Sequence, residues 1–116
     1  MKVTILIPTL NEIDGMKVIM PRIKKEWYDQ LIIVDGNSTD GTIEYCKEKG
    51  YFIIQQKKKG IRHAYIEAFP YITGDIVITF SPDGNSIPEL IPYLMKKMQE
   101  SYDMVIVSRY AKGAKS

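Results

Sequence analysis

The sequence predicts one open α/β domain whose mostly parallel sheet is covered by helices on both faces. Short apolar runs, rich in Val and Ile, alternate with longer segments that carry apolar residues at three- and four-residue spacing. The short runs are nearly continuous in apolar character, which is typical of strands buried on both faces. Repeated alternation of strand and helix implies right-handed crossovers and parallel pairing.

The short runs and the amphipathic segments give the expected elements in order. Strands are predicted over residues 2–8, 31–35, 51–55, 75–80 and 103–108. Helices are predicted over residues 13–27, 39–50, 60–74 and 86–101. Pro21 is expected to kink or break the first helix and Pro70 to end the third, because proline lacks an N–H and crowds the preceding turn.

Capping residues mark several of the expected helix ends. Gly50 is expected to end the second helix, and Ser86 followed by Glu89 has the spacing of a capping box for the fourth. The candidate N-cap residues of the second helix are Ser38, Thr39 and Asp40.

The composition favours a single domain over residues 1–116 and excludes several classes of protein. The net charge is +2, so no overall field indicates a nucleic-acid partner. The densest basic run, residues 57–59, is interpreted as a solvated turn. The single cysteine, Cys46, cannot form an internal disulfide and favours a reduced, cytoplasmic setting. No stretch approaches the ~18 apolar residues that span a bilayer.

Polar residues follow the predicted strands at the edge where ligands bind in open α/β sheets. Pro8 is expected to stop strand pairing and leave Thr9, Asn11 and Glu12 to present polar atoms to a crevice. Asp35 ends the second strand, where its carboxylate can accept hydrogen bonds from a base or a ribose. The alternative for Asp35 is a turn or helix-capping role, and residues 37–41 are interpreted as turn and cap.

The loop after the fourth strand, "FSPDGNS", contains a carboxylate, Asp83, between a proline and a glycine. It is either a structural turn or a site for a metal ion and a phosphate. The sequence lacks GxGxxG after the first strand and lacks GxxxxGK[ST] throughout, which disfavours dinucleotide-binding and P-loop proteins. One histidine and no CxxC disfavour zinc sites and triad hydrolases.

Four segments resemble the inverting family 2 glycosyltransferases of GT-A fold, which have a Rossmann-like nucleotide-binding half. The segments are "TILIPTLNE", "LIIVDGNSTDGT", "GDIVITFSPDGNSIPELIPYL" and "YDMVIVSRY". They occur in the family's order and spacing over almost the whole chain, and they are most similar to the dolichol- and polyprenyl-phosphate sugar synthases. The resemblance implies a UDP- or GDP-sugar donor, with a divalent cation, Mg²⁺ or Mn²⁺, at the pyrophosphate.

The resemblance also implies roles for individual residues. Pro8, Thr9 and Glu12 would line the nucleotide pocket, and Asp35 would contact the base or ribose. Asp83 would be the carboxylate on the metal side.

The chain departs from the family at one of these places. The family usually carries Asp-x-Asp in the loop after the fourth strand, whereas Ser81, Pro82 and Asp83 stand there, so the first acid is missing. Asn85 offers an amide oxygen as a further ligand, and Ser81 offers a hydroxyl. One carboxylate can suffice when the diphosphate brings oxygen ligands of its own.

Arg109 resembles an arginine of the family that meets a diphosphate or an acceptor phosphate through its planar fork, and a surface ion pair is the alternative. No residue is assigned as the general base. The enzymes that this chain resembles continue further, into segments that supply the acceptor site and the general base. The chain is therefore expected to be either a truncated part of a longer enzyme, membrane-associated when complete, or a donor-binding half that works with another chain. The expected acceptor is a polyprenyl phosphate or another acceptor. A homodimer is a further expectation. The alternatives are a noncatalytic nucleotide-sugar-binding module and a structural α/β domain.

Overall fold

The computed structural model describes residues 2–82, 87–93, 96 and 104–107. Within them the strands are β1 (Val3–Thr9), β2 (Gln30–Asp35), β3 (Phe52–Gln55), β4 (Ile76–Phe80) and β5 (Met104–Val107). They form one parallel sheet in the order β3-β2-β1-β4-β5. Each strand lies within one residue of its predicted bounds. The predicted open, parallel α/β fold is therefore confirmed.

The helices between the strands are shorter than the apolar periodicity predicts. They are α1 (Ile13–Ile19), α2 (Thr42–Lys49) and α3 (Ile61–Ala68), and residues 90–93 are also helical. Short 3₁₀ turns follow α1 at Met20–Arg22 and Lys25–Trp27, and α3 at Phe69–Tyr71. In the part of the chain that the structure describes, no helix is both long enough and apolar enough to cross a membrane.

Prolines and one glycine set the helix ends as predicted. Pro21 and Pro70 each lie in the 3₁₀ turn that follows an α-helix, so the periodic segments continue as tighter turns instead of regular helix. Gly50 ends α2 with φ +82°, and its N–H donates to the carbonyls of Cys46 and Lys47. The predicted capping box of the fourth helix begins at Ser86, which lies outside the described residues.

Apolar side chains cover both faces of the sheet because successive strand residues point to opposite sides. On one face, residues of β1, β2 and β4 pack with α1 and α2, and the fully buried members include Ile5, Ile7, Met16, Ile33, Cys46 and Ile78. On the other face, strand residues pack with α3 through Leu6, Ile32, Val34, Ala64, Ala68 and Val77. Cys46 is a free thiol, buried in the cluster that packs with α1 and α2.

Candidate functional site

The direction in which strands are added to the sheet reverses between β1 and β4, and this reversal places the candidate site. From β1 the chain builds β2 and β3 on one side and then returns to build β4 and β5 on the other. The loops that leave the carboxyl ends of β1 and β4 therefore diverge and leave a crevice between them.

Pro8 helps to open this crevice. β1 pairs with β2 as far as Thr9 opposite Asp35, whereas its pairing with β4 ends at Leu6. The Thr9 carbonyl accepts the Gly36 N–H at 2.9 Å, so the backbone polar groups of Thr9 point toward β2. Those of the preceding residue, Pro8, point the other way, toward β4. The prediction that Pro8 stops strand pairing is wrong on the β2 side, because no N–H of Pro8 is needed there. On the β4 side the pairing does end before this proline.

Thr9 and Asp35 lie side by side at the ends of β1 and β2. The Thr9 hydroxyl donates to Asp35 Oδ1 at 2.6 Å, and the Ser38 hydroxyl donates to the same oxygen at 2.7 Å. The Ser38 N–H donates to Asp35 Oδ2 at 2.7 Å. Asp35 is 0 % exposed, so these three bonds replace the water that a charged carboxylate loses on burial. In this geometry Asp35 orders the loop after β2.

Asn11 ties the loop after β1 to the loop after β2. Its N–H donates to the Ser38 hydroxyl at 2.7 Å, and its side-chain Oδ1 accepts the Thr39 N–H at 2.8 Å. Asn11 has φ +52°, in the left-handed region that asparagine adopts more readily than most residues. The chain can therefore turn sharply after β1 while the backbone N–H and the side-chain oxygen of Asn11 both remain hydrogen-bonded.

Asp40 joins the starts of two helices. Its Oδ2 accepts the N–H of Ile13, the first residue of α1, at 3.0 Å. Its Oδ1 accepts both the N–H of Thr42, at 3.1 Å, and the Thr42 hydroxyl, at 2.6 Å, at the start of α2. Burial raises the pKa of Asp40, but the hydrogen bonds from Thr42 and Ile13 outweigh it and leave the pKa below its ordinary value.

A cavity of about 260 Å³ lies in front of these loops, close to the lower end of the ~300–1,000 Å³ typical of small-molecule sites. Its walls are the turn after β1, the first residues of α1, Asp40 and Pro82 in the loop after β4. The lining residues are Asn11, Glu12, Ile13, Asp14, Gly15, Asp40 and Pro82. The cavity therefore opens at the strand-order reversal, with carboxylate and amide oxygens among its walls.

The structure brings most of the predicted site residues to this edge of the sheet. Those in the described residues are Pro8, Thr9, Glu12, Asp35 and Ser81. Glu12, just before α1, and Ser81, just after β4, are both partly buried. The predicted metal ligands Asp83 and Asn85, and the predicted phosphate contact Arg109, lie outside the described residues. Among the described side chains, no group of three or more His, Cys, Asp and Glu residues could hold a metal ion.

The lysine run after β3 is an exposed turn, as predicted. Glu67 of α3 accepts the N–H groups of Lys57 and Lys58 at 2.8 and 3.0 Å. The Gln56 amide donates to the carbonyls of Lys58 and Gly60. The backbone of the turn is thus held from both sides while the three lysine side chains extend into solvent.

Asp40 was missed as a link between two loops. Its position two residues before Thr42 is typical of helix capping, so the sequence predicts that Asp40 caps α2. Its bond to Ile13 joins residues 27 apart in the chain, and no local pattern predicts it.

Comparison with known proteins shows which family the chain resembles. A sequence model described as glycosyl transferase family 2 matches residues 4–116. Dolichol-phosphate mannosyltransferase from Pyrococcus furiosus is 32% identical over 123 residues, covering 99% of this chain and 35% of the relative. An undecaprenyl-phosphate 4-deoxy-4-formamido-L-arabinose transferase from Klebsiella pneumoniae is 31% identical, covering 90% of this chain and 36% of the relative. The chain thus spans about a third of the length of these relatives.

Solved structures share the fold at lower sequence identity. Glucosyl-3-phosphoglycerate synthase from Mycobacterium tuberculosis, in complex with Mn²⁺, UDP-glucose and glycerol 3-phosphate, superposes with a TM-score of 0.76 at 22% identity. That match covers 86% of this chain and 40% of the synthase. The same synthase with Mg²⁺ and UDP gives a TM-score of 0.75, covering 88% of this chain and 40% of the synthase, again at 22% identity. The similarity confirms the predicted GT-A fold, and with the family match over residues 4–116 it shows that the chain belongs to glycosyl transferase family 2.

Proposed function

We propose that this chain is the donor-binding part of a glycosyltransferase that takes a sugar from a UDP- or GDP-sugar. The observation that carries the proposal is the cavity at the strand-order reversal, bounded by the loops after β1 and β4. Parallel α/β sheets bind nucleotides at such a crevice. The names of the relatives, which include dolichol phosphate and undecaprenyl phosphate, support a lipid-phosphate acceptor. Transfer with inversion at the sugar is proposed from the family resemblance alone.

The residues of the site have distinct proposed roles. Glu12 lines the cavity. Pro8 and Thr9, at the end of β1, are proposed to complete the nucleotide pocket, and Asp35 is proposed to contact the base or ribose. In the described geometry Asp35 Oδ1 accepts two hydrogen bonds and Oδ2 accepts one, so Oδ2 keeps one acceptor position. Asp35 is 0 % exposed, so a base or ribose would reach this position only if the residues that cover Asp35 moved aside.

The diphosphate is proposed to lie at the end of β4. Asp83 and Asn85 would hold Mg²⁺ or Mn²⁺, with Ser81 nearby, because carboxylate, amide and hydroxyl oxygens suit these hard cations. The bound cation would neutralise the charge that grows on the leaving nucleoside diphosphate. Arg109 would meet the diphosphate or the acceptor phosphate through a bidentate contact. Cations accompany UDP in the structures of the mycobacterial synthase.

Calorimetric titration of UDP and of GDP, each with and without Mn²⁺, tests this proposal. We expect one nucleotide to bind with Mn²⁺ and the affinity to fall at least about tenfold in Asp83→Ala, because a charged ligand to the cation is lost. Asp75→Ala is the matched control. Asp75 accepts the Lys2 N–H at 3.0 Å, before the start of β4 and thus at the opposite edge of the sheet.

The other outcomes separate the rival functions. Binding that depends on neither Mn²⁺ nor Asp83 would contradict the cation site and indicate a noncatalytic nucleotide-sugar-binding module. Absence of binding under all conditions would contradict donor binding by this chain and favour a structural α/β domain.

A further inference from the structure

Asp40 is the residue through which the loop after β2 contacts the first turn of α1. Its two carboxylate oxygens accept hydrogen bonds from Ile13 on one side and Thr42 on the other. The N-terminal N–H groups of a helix lack partners within the helix, so both helices gain a cap from one side chain. The residue before α2 is Gly41, which has no side chain, so it cannot cap the first N–H groups of α2.

The same two loops are joined a second time through Asn11. Along the two loops, the bonds of Asn11 to Ser38 and Thr39 come after the bond between Thr9 and Asp35 and before the bond between Ile13 and Asp40. The segment from Asn11 to Gly15, which forms a wall of the cavity, is therefore held against the loop after β2 at both Asn11 and Ile13. Locally, the Met16 N–H donates to the Glu12 carbonyl at 2.8 Å, and the bond from Ile13 to Asp40 ties the start of the seven-residue helix α1 to the loop after β2.

The chemistry of Asp40 fits this arrangement better than that of a neutral residue. The carboxylate faces two N–H donors and one hydroxyl, and an ionised carboxylate only accepts hydrogen bonds. An asparagine of the same shape has one accepting end and one donating end. Its NH₂ group would face either the Ile13 N–H or the Thr42 N–H, and that contact would become repulsive.

We infer that Asp40 is a positioning residue for donor binding: it holds the wall of the cavity formed by residues 11–15 in the shape that receives the nucleotide sugar. This inference rests on the proposed function of the cavity. Asp40 acts through Ile13 and the turn at Asn11, and the nucleotide need not touch its carboxylate. The loss expected on substitution is therefore in nucleotide affinity, beyond any loss of stability.

The test compares Asp40→Asn with Asp29→Asn in the 116-residue chain. Asp29 is a matched control because its Oδ2 accepts the Val3 N–H at 2.7 Å at the opposite end of β1. We expect both variants to lower the unfolding temperature by a few degrees, as the loss of one capping bond does. Only Asp40→Asn should weaken the binding of UDP or GDP with Mn²⁺, by about tenfold, which is the size expected for one or two lost hydrogen bonds.

Amide hydrogen exchange provides a readout that does not require a nucleotide. In Asp40→Asn the N–H groups of Asn11, Ile13 and Thr42 should exchange faster, whereas those of β1 itself should not change. Asn11→Gly is a second variant that keeps the left-handed conformation accessible and removes the acceptor for Thr39. It should also weaken nucleotide binding.

The outcomes separate this inference from the proposed function. Asp40→Asn with unchanged nucleotide affinity, or with a loss equal to that of Asp29→Asn, would overturn the positioning role. Unchanged exchange at Asn11 and Ile13 would also overturn it, even if the unsubstituted chain bound no nucleotide. A third outcome is that the unsubstituted chain binds no nucleotide while Asp40→Asn still shows faster exchange. This outcome would overturn the proposed function and the link of Asp40 to donor binding, but the contact between the two loops would stand.

Discussion

Asp35 shows how the surroundings of a candidate site residue arise at the scale of single side chains. The sequence places a carboxylate at the end of a strand, but its partners Thr9 and Ser38 follow from the pairing of β1 with β2. Thr9 lies opposite Asp35 only in the folded sheet, so the bond between them has no local signature. The sequence therefore predicts the position of Asp35 and not its surroundings. Contact of Asp35 with a base stays a prediction.

Cys46 gives a prediction about pH at this scale. Burial, together with the negative charge of Asp35, raises the pKa of the Cys46 thiol from 9.0 to about 11. The unfolded thiol ionises first as the pH rises, so this contribution to stability is complete below about pH 9 and is lost as the pH rises through about 11. We expect the free energy of unfolding to fall more steeply between pH 9 and 11 in the unsubstituted chain than in Cys46→Ala.

Alkylation by iodoacetamide gives an independent measurement of the same thiol. The native thiol should react far more slowly than the thiol in urea at pH 8, because the thiolate is the reactive form and the side chain is buried. Equal rates in the native and unfolded chain would contradict both the burial and the raised pKa of Cys46.

Elements were easier to predict than the contacts between them. Strand bounds follow from apolar runs, and the breaks at Pro21 and Pro70 follow from the chemistry of proline. The 3₁₀ turns that follow these breaks were not predicted, because apolar periodicity does not distinguish a tight turn from a regular helix. The pairing of β1 beyond Pro8 was also missed, since the effect of a missing N–H depends on which neighbouring strand it faces.

Gly74 provides a test of packing at the start of β4. A methyl group at this position would lie 2.5 Å from the Thr4 hydroxyl and 2.7 Å from the Thr4 backbone nitrogen. The Gly74 N–H also donates to the Thr4 hydroxyl at 3.0 Å, so the two chain segments cannot separate without losing a bond. We expect Gly74→Ala to lower the free energy of unfolding by about 1–3 kcal/mol, the usual cost of overpacking.

Gly36→Ala is the control for this substitution in urea unfolding. A methyl group there would meet its nearest neighbours, Gln56 and Leu10, at an ordinary distance of 3.5 Å. Its effect on the free energy of unfolding should stay within about 0.5 kcal/mol. An equal effect of the two substitutions would argue against the close approach of Gly74 to β1.

At the scale of the whole molecule, alternation of strands and helices predicts a parallel sheet and a site at its carboxyl edge. The order β3-β2-β1-β4-β5 was not predictable in the same way, because nothing in the alternation says on which side of β1 the chain places β4. The observed order puts the predicted residues of β1 and β2 beside the end of β4. The homodimer, the lipid-phosphate acceptor and the cation ligands stay predictions.

Chemical-shift mapping of UDP or GDP binding in the presence of Mg²⁺ tests the proposed donor site, because it reports where on this chain the nucleotide binds. We expect the largest amide shifts at Thr9, Asn11 and Ser38, at the carboxyl ends of β1 and β2. Amides at the opposite edge, such as Asp29 and Gly74, should not shift. Shifts confined to that opposite edge, or none at saturating nucleotide, would contradict a donor site at the strand-order reversal.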